Sequence, residues 1–256
     1  MSAETNFDKA IRPDEKQDLL KSSFRTTDLF ELLVGSEQPV TIGEISQQLN
    51  IPQSSSSSLV KSLMESGFLQ KDEASRGYML SPRLPLLGLK YLERFPTIGK
   101  LRDQVAGLAE AVDETTVLAM RNGLYSQYIY IKRKSPQIVD KHVSLGSLRP
   151  LACSATGWAM MTVLSEEEIG KVIRATHINI SDKHWEHNLK IAESHIQAAR
   201  DKGYAFSRAS QYSNTAGIAK FIPQSDSGSF AICIAGPEKR LVEKETDIAE
   251  ALHALT

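Results

Sequence analysis

Cysteine is scarce in this 256-residue chain: Cys153 and Cys233 are the only two. A pair of thiols with no secretion signal excludes a disulfide-stapled scaffold and fits reduced cysteines in the cytoplasm. The chain also lacks any long apolar run, so no membrane-spanning helix is expected. The first residues, MSAETNFDKAIRPDEKQD, contain no signal-peptide h-region. An excess of charge of one sign is missing as well: a net charge of −1 exerts no global pull toward nucleic acid. No internal repeat stands out, and nothing in the chain announces a cofactor. What is present is 41% hydrophobic residues, ample for packed cores in one large or two modest domains.

The stretch from Thr41 to Phe68 carries the first strong pattern. Ile42, Ile45 and Leu49 share one face of a short helix. Asn50 and Ile51 make a tight connection, with Pro52 at a first helical position where its missing N–H is harmless. Leu59, Val60, Leu63 and Met64 give a second apolar stripe that closes at Gly67, a natural C′ residue. Five consecutive serines, Ser54 to Ser58, would suit a flexible linker. A linker would not be followed at once by a helical apolar face, however, and serine hydroxyls cap helix N-termini. Two short helices across a turn are a helix-turn-helix.

Phe68 to Lys71 and Gly77 to Leu80 flank a charged turn, as in a two-stranded hairpin. A hairpin after a recognition helix makes a winged helix. Upstream, Leu29, Phe30, Leu32 and Leu33 give an opening helix its buried side, and residues 1–17 read as a loose arm. Acids outnumber bases over residues 1–81, which lowers the expected affinity for phosphate. The bases present, Arg25, Lys61, Lys71 and Arg76, are nonetheless distributed over the elements a DNA-binding face would use.

Residues 82–97 read as an amphipathic connecting helix with Leu86, Leu89 and Tyr91–Leu92 on its apolar side, ended by Pro96 and Gly99. The remainder, 98–256, mixes helices and strands. Leu101, Val105, Leu108 and Val112 mark a helix. Thr115–Met120 and Tyr128–Lys132 are strands around Asn122-Gly123, with a connection longer than two residues, and Ile138–Val143 is a third strand. A small-residue helix starts near Cys153, and Ser165 to Glu168 is a capping box. A helix through Leu189, Ala192, Ile196 and Ala199 stops at Gly203. Further strands lie at Tyr204–Ala209, Ile218–Ile222 and Ser229–Ile234, before one final helix from about Leu241 to Leu255. The expected class is α+β: one mainly antiparallel sheet flanked by helices.

The ordered set Phe24-Arg25, Pro39-Val40-Thr41, Leu49-Asn50-Ile51-Pro52, Glu65 to Leu69, Gly77-Tyr78 and Leu80 to Leu84 resembles the IclR (isocitrate lyase regulator) family of bacterial transcription factors. Pro150-Leu151 through Gly157, Gly203-Tyr204 and Ile232 through Pro237 extend the resemblance over most of the chain. It implies a winged helix-turn-helix over 18–81, a linker helix that also pairs subunits, and a GAF-like effector domain. It further implies a homodimer or dimer of dimers that binds double-stranded promoter DNA and responds to a small molecule, without cofactor or enzymatic activity. By resemblance, the effector pocket is walled by Arg149, Ala155, Thr156, Ser207, Thr215, Gly217, Cys233 and Ala235, with Met120, Tyr130 and Trp158 nearby.

The departures from the family pattern carry information. Polar-acid binders of the family have an acidic residue where Ser207 stands, and serines where Cys233 and Ala235 stand. This pocket is therefore less polar, and the expected effector is an apolar organic acid or close derivative, aromatic and catabolic in origin, rather than a small keto acid. The same small residues also suit plain strand core. Where an arginine is common near Ser58, the reading helix has serine. Gln53 is then the best direct base reader, with Ser54, Ser55 and Ser57 as phosphate contacts.

Other readings compete. A winged-helix protein–protein adaptor shares the same fold. Cys153 near a helix start suits a hydrolase nucleophile, but none of the six histidines has a diagnostic spacing. His184 and His187 lack the further ligands that a zinc site needs.

Overall fold

The computed structural model describes residues 21–93, 96–133, 143–179, 190–208, 215–223 and 229–255. The expected arm over 1–17, most of the expected strand over 138–143, and the His184–His187 pair lie outside them. The chain divides between Phe95 and Pro96 into two compact units.

In the first unit, helix α1 (Lys21–Val34) precedes α2 (Ile42–Gln48) and α3 (Gln53–Glu65). Thr41 opens α2 through a capping box with Glu44. Hydrogen bonds from the Thr41 backbone and hydroxyl hold the Glu44 carboxyl below its usual range. The turn between α2 and α3 is stitched in both directions, with Ile51 N–H donating to Ser46 O and Ser46 Oγ donating to Ile51 O. Asn50, at φ +51°, takes the left-handed position there, which asparagine tolerates better than most residues. Pro52 is not the first helical residue but the extended one before it (ψ 143°), so α3 starts at Gln53. At the other end Phe68 N–H reaches Leu63 O and Gly67 N–H reaches Met64 O, with Gly67 at φ +75°. That is the paired bonding of a Schellman cap.

Strands β1 (Leu69–Lys71) and β2 (Tyr78–Leu80) then pair antiparallel as the wing, and Val40 bridges Tyr78. Gly77 lies so close to Pro39 that a Cβ would sit 2.7 Å from its carbonyl carbon. Leu29, Leu33, Val40, Ile45, Val60, Leu63 and Leu69 form one core. Each large aliphatic side chain so buried contributes about 1.5–3 kcal/mol. Helix α4 (Arg83–Glu93) closes the unit and leaves Leu86, Leu87, Leu89 and Tyr91 exposed.

The second unit begins with α5 (Pro96–Val112), followed by β3 (Thr115–Asn122) and β4 (Tyr125–Lys132). These strands run further toward each other than their apolar residues indicate. Only Gly123 and Leu124 connect them, with Gly123 at φ +58°, the geometry of a tight hairpin. Then come β5 (Leu148–Pro150), a 3-10 turn, and α6 (Ala155–Met161), every residue of which is buried. Helix α7 (Glu166–Asn179) opens on the Ser165–Glu168 capping box, and α8 (Ala192–Lys202) ends at left-handed Gly203.

Strands β6 (Ala205–Ser207), β7 (Thr215–Ile222) and β8 (Phe230–Pro237) complete an antiparallel six-stranded sheet of order β5-β4-β3-β8-β7-β6. The final helix is two helices, α9 (Glu238–Glu243) and α10 (Glu245–His253), joined at Lys244. The bend lets Leu241 from one helix and Ile248 and Leu252 from the other all become fully buried.

Helices cover both faces of this sheet: α5, α9 and α10 on one, α6 on the other. The fold is thus a winged helix-turn-helix followed by an α+β unit.

Candidate functional site

Two surfaces matter, one in each unit. On α3, Ser56, Val60 and Leu63 turn into the core, and Ser56 Oγ donates to Pro52 O. Helical geometry then turns Gln53, Ser54, Ser57, Ser58 and Lys61 outward together, and all five are exposed. Ser55 sits half-buried at the margin of that stripe. The serine run is therefore neither a linker nor uniform: one of the five is core and the rest grade outward. Lys61 has Glu65 one turn away at 3.9 Å, an exposed pair too weak to pull the lysine out of reach of a phosphate. Arg76 is exposed at the wing turn in left-handed conformation (φ +57°), and Arg25 is half-buried on α1. In the same turn the Asp72 carboxylate accepts from the Ser75 hydroxyl and N–H, which keeps it ionised below its usual range.

In the second unit, the sheet face under α6 is floored by small residues. Pairing sets Gly217 opposite both Ala235 and Ser207, and Cys233 opposite Ala219. A Cβ on Gly217 would lie 3.2 Å from Cys233 Sγ and 3.6 Å from Ala155 Cβ, so the start of α6 closes directly on the floor. Ser154 caps α6 by accepting from Gly157 N–H. Thr156 Oγ1 shares a 2.6 Å hydrogen bond with Ser126 Oγ, joining α6 to β4. Thr215 lies on the same sheet face two residues before Gly217, opposite Pro237.

Arg149, opposite Ser126 on β5, is buried with its guanidinium 5.7 Å from the Tyr128 ring centroid. Burial pushes the Cys233 thiol up to about 12, with the positive Arg149 only partly opposing it. Arg149, Thr156, Ser207, Gly217, Cys233 and Ala235 thus belong to one face of the sheet and the helix closing it.

Met120 and Tyr130 do not. Met120 pairs with Phe230 and follows the Leu118–Ile232 row, on the opposite face from Cys233 and Ala235. The β3–β4 register shifts between Leu118 and Ala119, so that Leu118 faces Tyr130 while Ala119 faces Tyr128. The extra residue, Ile129, turns Tyr130 to the far side, where Arg102 of α5 stacks on it at 4.8 Å. Tyr128 is the aromatic residue that belongs to the site; unbroken alternation along β4 would have kept it on one face with Tyr130, and the shift separates the two. Trp158 is core: it stacks on His195 with centroids 4.3 Å apart and donates to Ala152 O.

Cys153 is fully buried, and desolvation raises its thiol to about 12, so it has none of the thiolate character of a nucleophile. Among the described residues no group of His, Cys, Asp or Glu could hold a metal ion, and no helix is long and apolar enough to cross a membrane.

Comparison with known proteins decides the family. A family model described as "Bacterial transcriptional regulator IclR C-terminal" matches residues 89–256, and one described as "IclR helix-turn-helix domain" matches residues 23–73. The chain belongs to the IclR family.

The HTH-type transcriptional regulator KipR of Bacillus subtilis is 28% identical over 207 residues, covering 80% of this chain and 81% of that protein. The transcriptional repressor AllR of Escherichia coli is 27% identical over 206 residues, covering 79% and 75%. Among solved structures, the IclR of Thermotoga maritima superposes with a TM-score of 0.70 at 18% identity, covering 90% and 96%. An IclR homologue from Microbacterium hydrocarbonoxydans, solved in complex with 4-hydroxybenzoate, gives 0.66 at 16% identity, covering 91% and 99%. The chain is accordingly a DNA-binding transcriptional regulator, of a family of regulators rather than enzymes.

Proposed function

We propose that this regulator is a cytoplasmic, ligand-responsive repressor of a catabolic operon, with α3 reading promoter DNA and an aromatic carboxylic acid as effector. The observation that supports the effector most is Arg149, a buried cation set over Tyr128 and beside a floor of Gly217, Cys233 and Ala235. An arginine clamps a carboxylate through two parallel N–H bonds, and small apolar side chains suit the flat face of a ring. Thr156, Ala155, Ser207 and Thr215 are the polar and small residues at its margin. The homologue solved with 4-hydroxybenzoate agrees in ligand class.

For DNA, Gln53 is the direct reader. Ser54, Ser57 and, at the margin, Ser55 contact phosphates together with Lys61, Arg76 and Arg25. Gln53→Ala is expected to relax specificity at one base position at a cost of about 1–3 kcal/mol. Lys61→Ala is expected to weaken binding to every sequence and to flatten the salt slope by about one. Anisotropy titrations on selected and shuffled duplexes separate the two, and equal losses on both duplexes for both variants would remove the assignment. A protein–protein adaptor would bind neither duplex.

The exposed row Leu86, Leu87, Leu89 and Tyr91 on α4 supports a two-fold assembly, a homodimer or dimer of dimers. Sedimentation is expected to give at least a dimer at micromolar protein, with footprints on half-sites about one helical turn apart. A monomer with single-site footprints would contradict it.

A further inference from the structure

We propose that Arg83, at the start of α4, is a positioning residue for DNA recognition: it fixes the C-terminal end of α3 without itself contacting DNA. The proposal rests on α3 being the reading helix.

Arg83 Nη1 donates to Ser66 O at 2.6 Å, and its guanidinium lies 4.9 Å from the Phe68 ring centroid. The backbone is drawn in as well. Arg83 N–H donates to Ser81 Oγ, Ser81 Oγ donates to Gly67 O, and Ser81 N–H donates to Phe68 O. Three consecutive residues, from the C-cap Ser66 to Phe68, are thus tied to Ser81 and Arg83. A Cβ on Gly67 would only touch Arg83 Nη1, at 3.4 Å, so what favours glycine there is its φ of +75°.

The chemistry suits the place. Helix α3 has no basic residue in its own last turn. The carbonyl end of the helix dipole carries partial negative charge, which a guanidinium stabilises. Arg83 supplies that charge from seventeen residues beyond Ser66. Leverage makes the contact matter for recognition. Gln53 is at the far end of this 13-residue helix, about 20 Å away at 1.5 Å per residue, so a tilt of ~5° moves it by roughly 1.7 Å. A bidentate contact between a glutamine and a base edge does not survive such a shift.

Because Arg83 is exposed, the competing role is an ordinary phosphate contact, and the two differ in their salt dependence. The test uses the full chain, its Arg83→Ala and Arg83→Lys variants, a duplex enriched by the wild-type chain from a randomised library, and a shuffled duplex of the same composition. Affinities are read by anisotropy at several salt concentrations.

For Arg83→Ala we expect a loss of about tenfold on the enriched duplex, the size of one charge-assisted hydrogen bond. Binding to the shuffled duplex should stay within about twofold, with the salt slope unchanged. Lysine still donates to Ser66 O but forfeits the planar stack on Phe68, so Arg83→Lys should recover part of the discrimination. Equal losses on both duplexes with a slope reduced by about one would make Arg83 a phosphate contact and overturn the proposal. So would wild-type discrimination in Arg83→Ala. If the wild-type chain enriches no sequence at all, the reading of α3 falls together with the proposal; enrichment with an inert Arg83→Ala removes the proposal alone.

Discussion

Replacing Arg240 with alanine is expected to destabilise the second unit by about 1.5–3 kcal/mol, the arginine itself being 40% exposed. The reason is Glu114, almost fully buried between α5 and β3. Its carboxylate accepts a two-pronged pair of bonds from Arg240, the Nη2–Oε2 arm at 2.7 Å, and Lys244 Nζ approaches Oε1 at 3.2 Å while also donating to Val112 O. Removing the guanidinium leaves a buried charge with one partner, and the desolvation cost stays in full. Denaturant titration of the full chain followed by tryptophan fluorescence measures the loss, since Trp158 lies in the core of this unit. The double variant Glu114→Leu, Arg240→Met should recover most of the stability, because a packed apolar pair replaces a charge pair at little net cost. A single variant within about 0.5 kcal/mol of wild type, the range of ordinary surface substitutions, would show that the pair is solvated.

Arg149→Ala is expected to cost aromatic-acid binding about 2–5 kcal/mol, a loss of thirtyfold or more. Arg149 is buried on the site face with its guanidinium over the Tyr128 ring, so truncation removes the proposed clamp together with that contact. Calorimetry with 4-hydroxybenzoate and with pyruvate, on wild type and variant, distinguishes the possibilities. Wild type should bind the aromatic acid and discriminate against the short keto acid, which leaves the apolar floor unfilled. Tight pyruvate binding, or aromatic binding untouched by the substitution, would contradict the assignment.

How much of this was legible in the sequence follows from the range of each interaction. The helix-turn-helix and wing are local: apolar spacing at Ile42, Ile45 and Leu49, and at Val60 and Leu63, together with Gly67 and the charged turn, located the elements to within a residue or so. Face assignment in the second unit failed where both faces of the sheet are apolar. Val117 and Ala119 face α6 while Leu118 and Met120 face the other way, and hydrophobicity alone does not tell them apart. The shift at Ile129 then put Tyr128 and Tyr130 on opposite faces, and an inserted residue leaves no compositional trace. Arg83 and the Glu114 pair were missed for a different reason. Their partners lie 17 and 126 residues away, and no periodicity reports a tertiary contact. The single final helix predicted from periodicity became two because α9 and α10 each carry an apolar stripe, and only the break at Lys244 lets both stripes reach the core.

One chain is expected to join DNA reading in its first unit to aromatic-acid binding in its second. The most direct test is a fluorescence-anisotropy titration of the wild-type chain bound to its enriched duplex, with 4-hydroxybenzoate added at fixed salt and pyruvate as the control. The aromatic acid is expected to weaken the complex about 5–150-fold, the usual span of an allosteric coupling, pyruvate to leave it intact, and Arg149→Ala to abolish the response without changing affinity for the duplex. A complex that ignores every aromatic acid tried, or that pyruvate dissolves and 4-hydroxybenzoate does not, would contradict it.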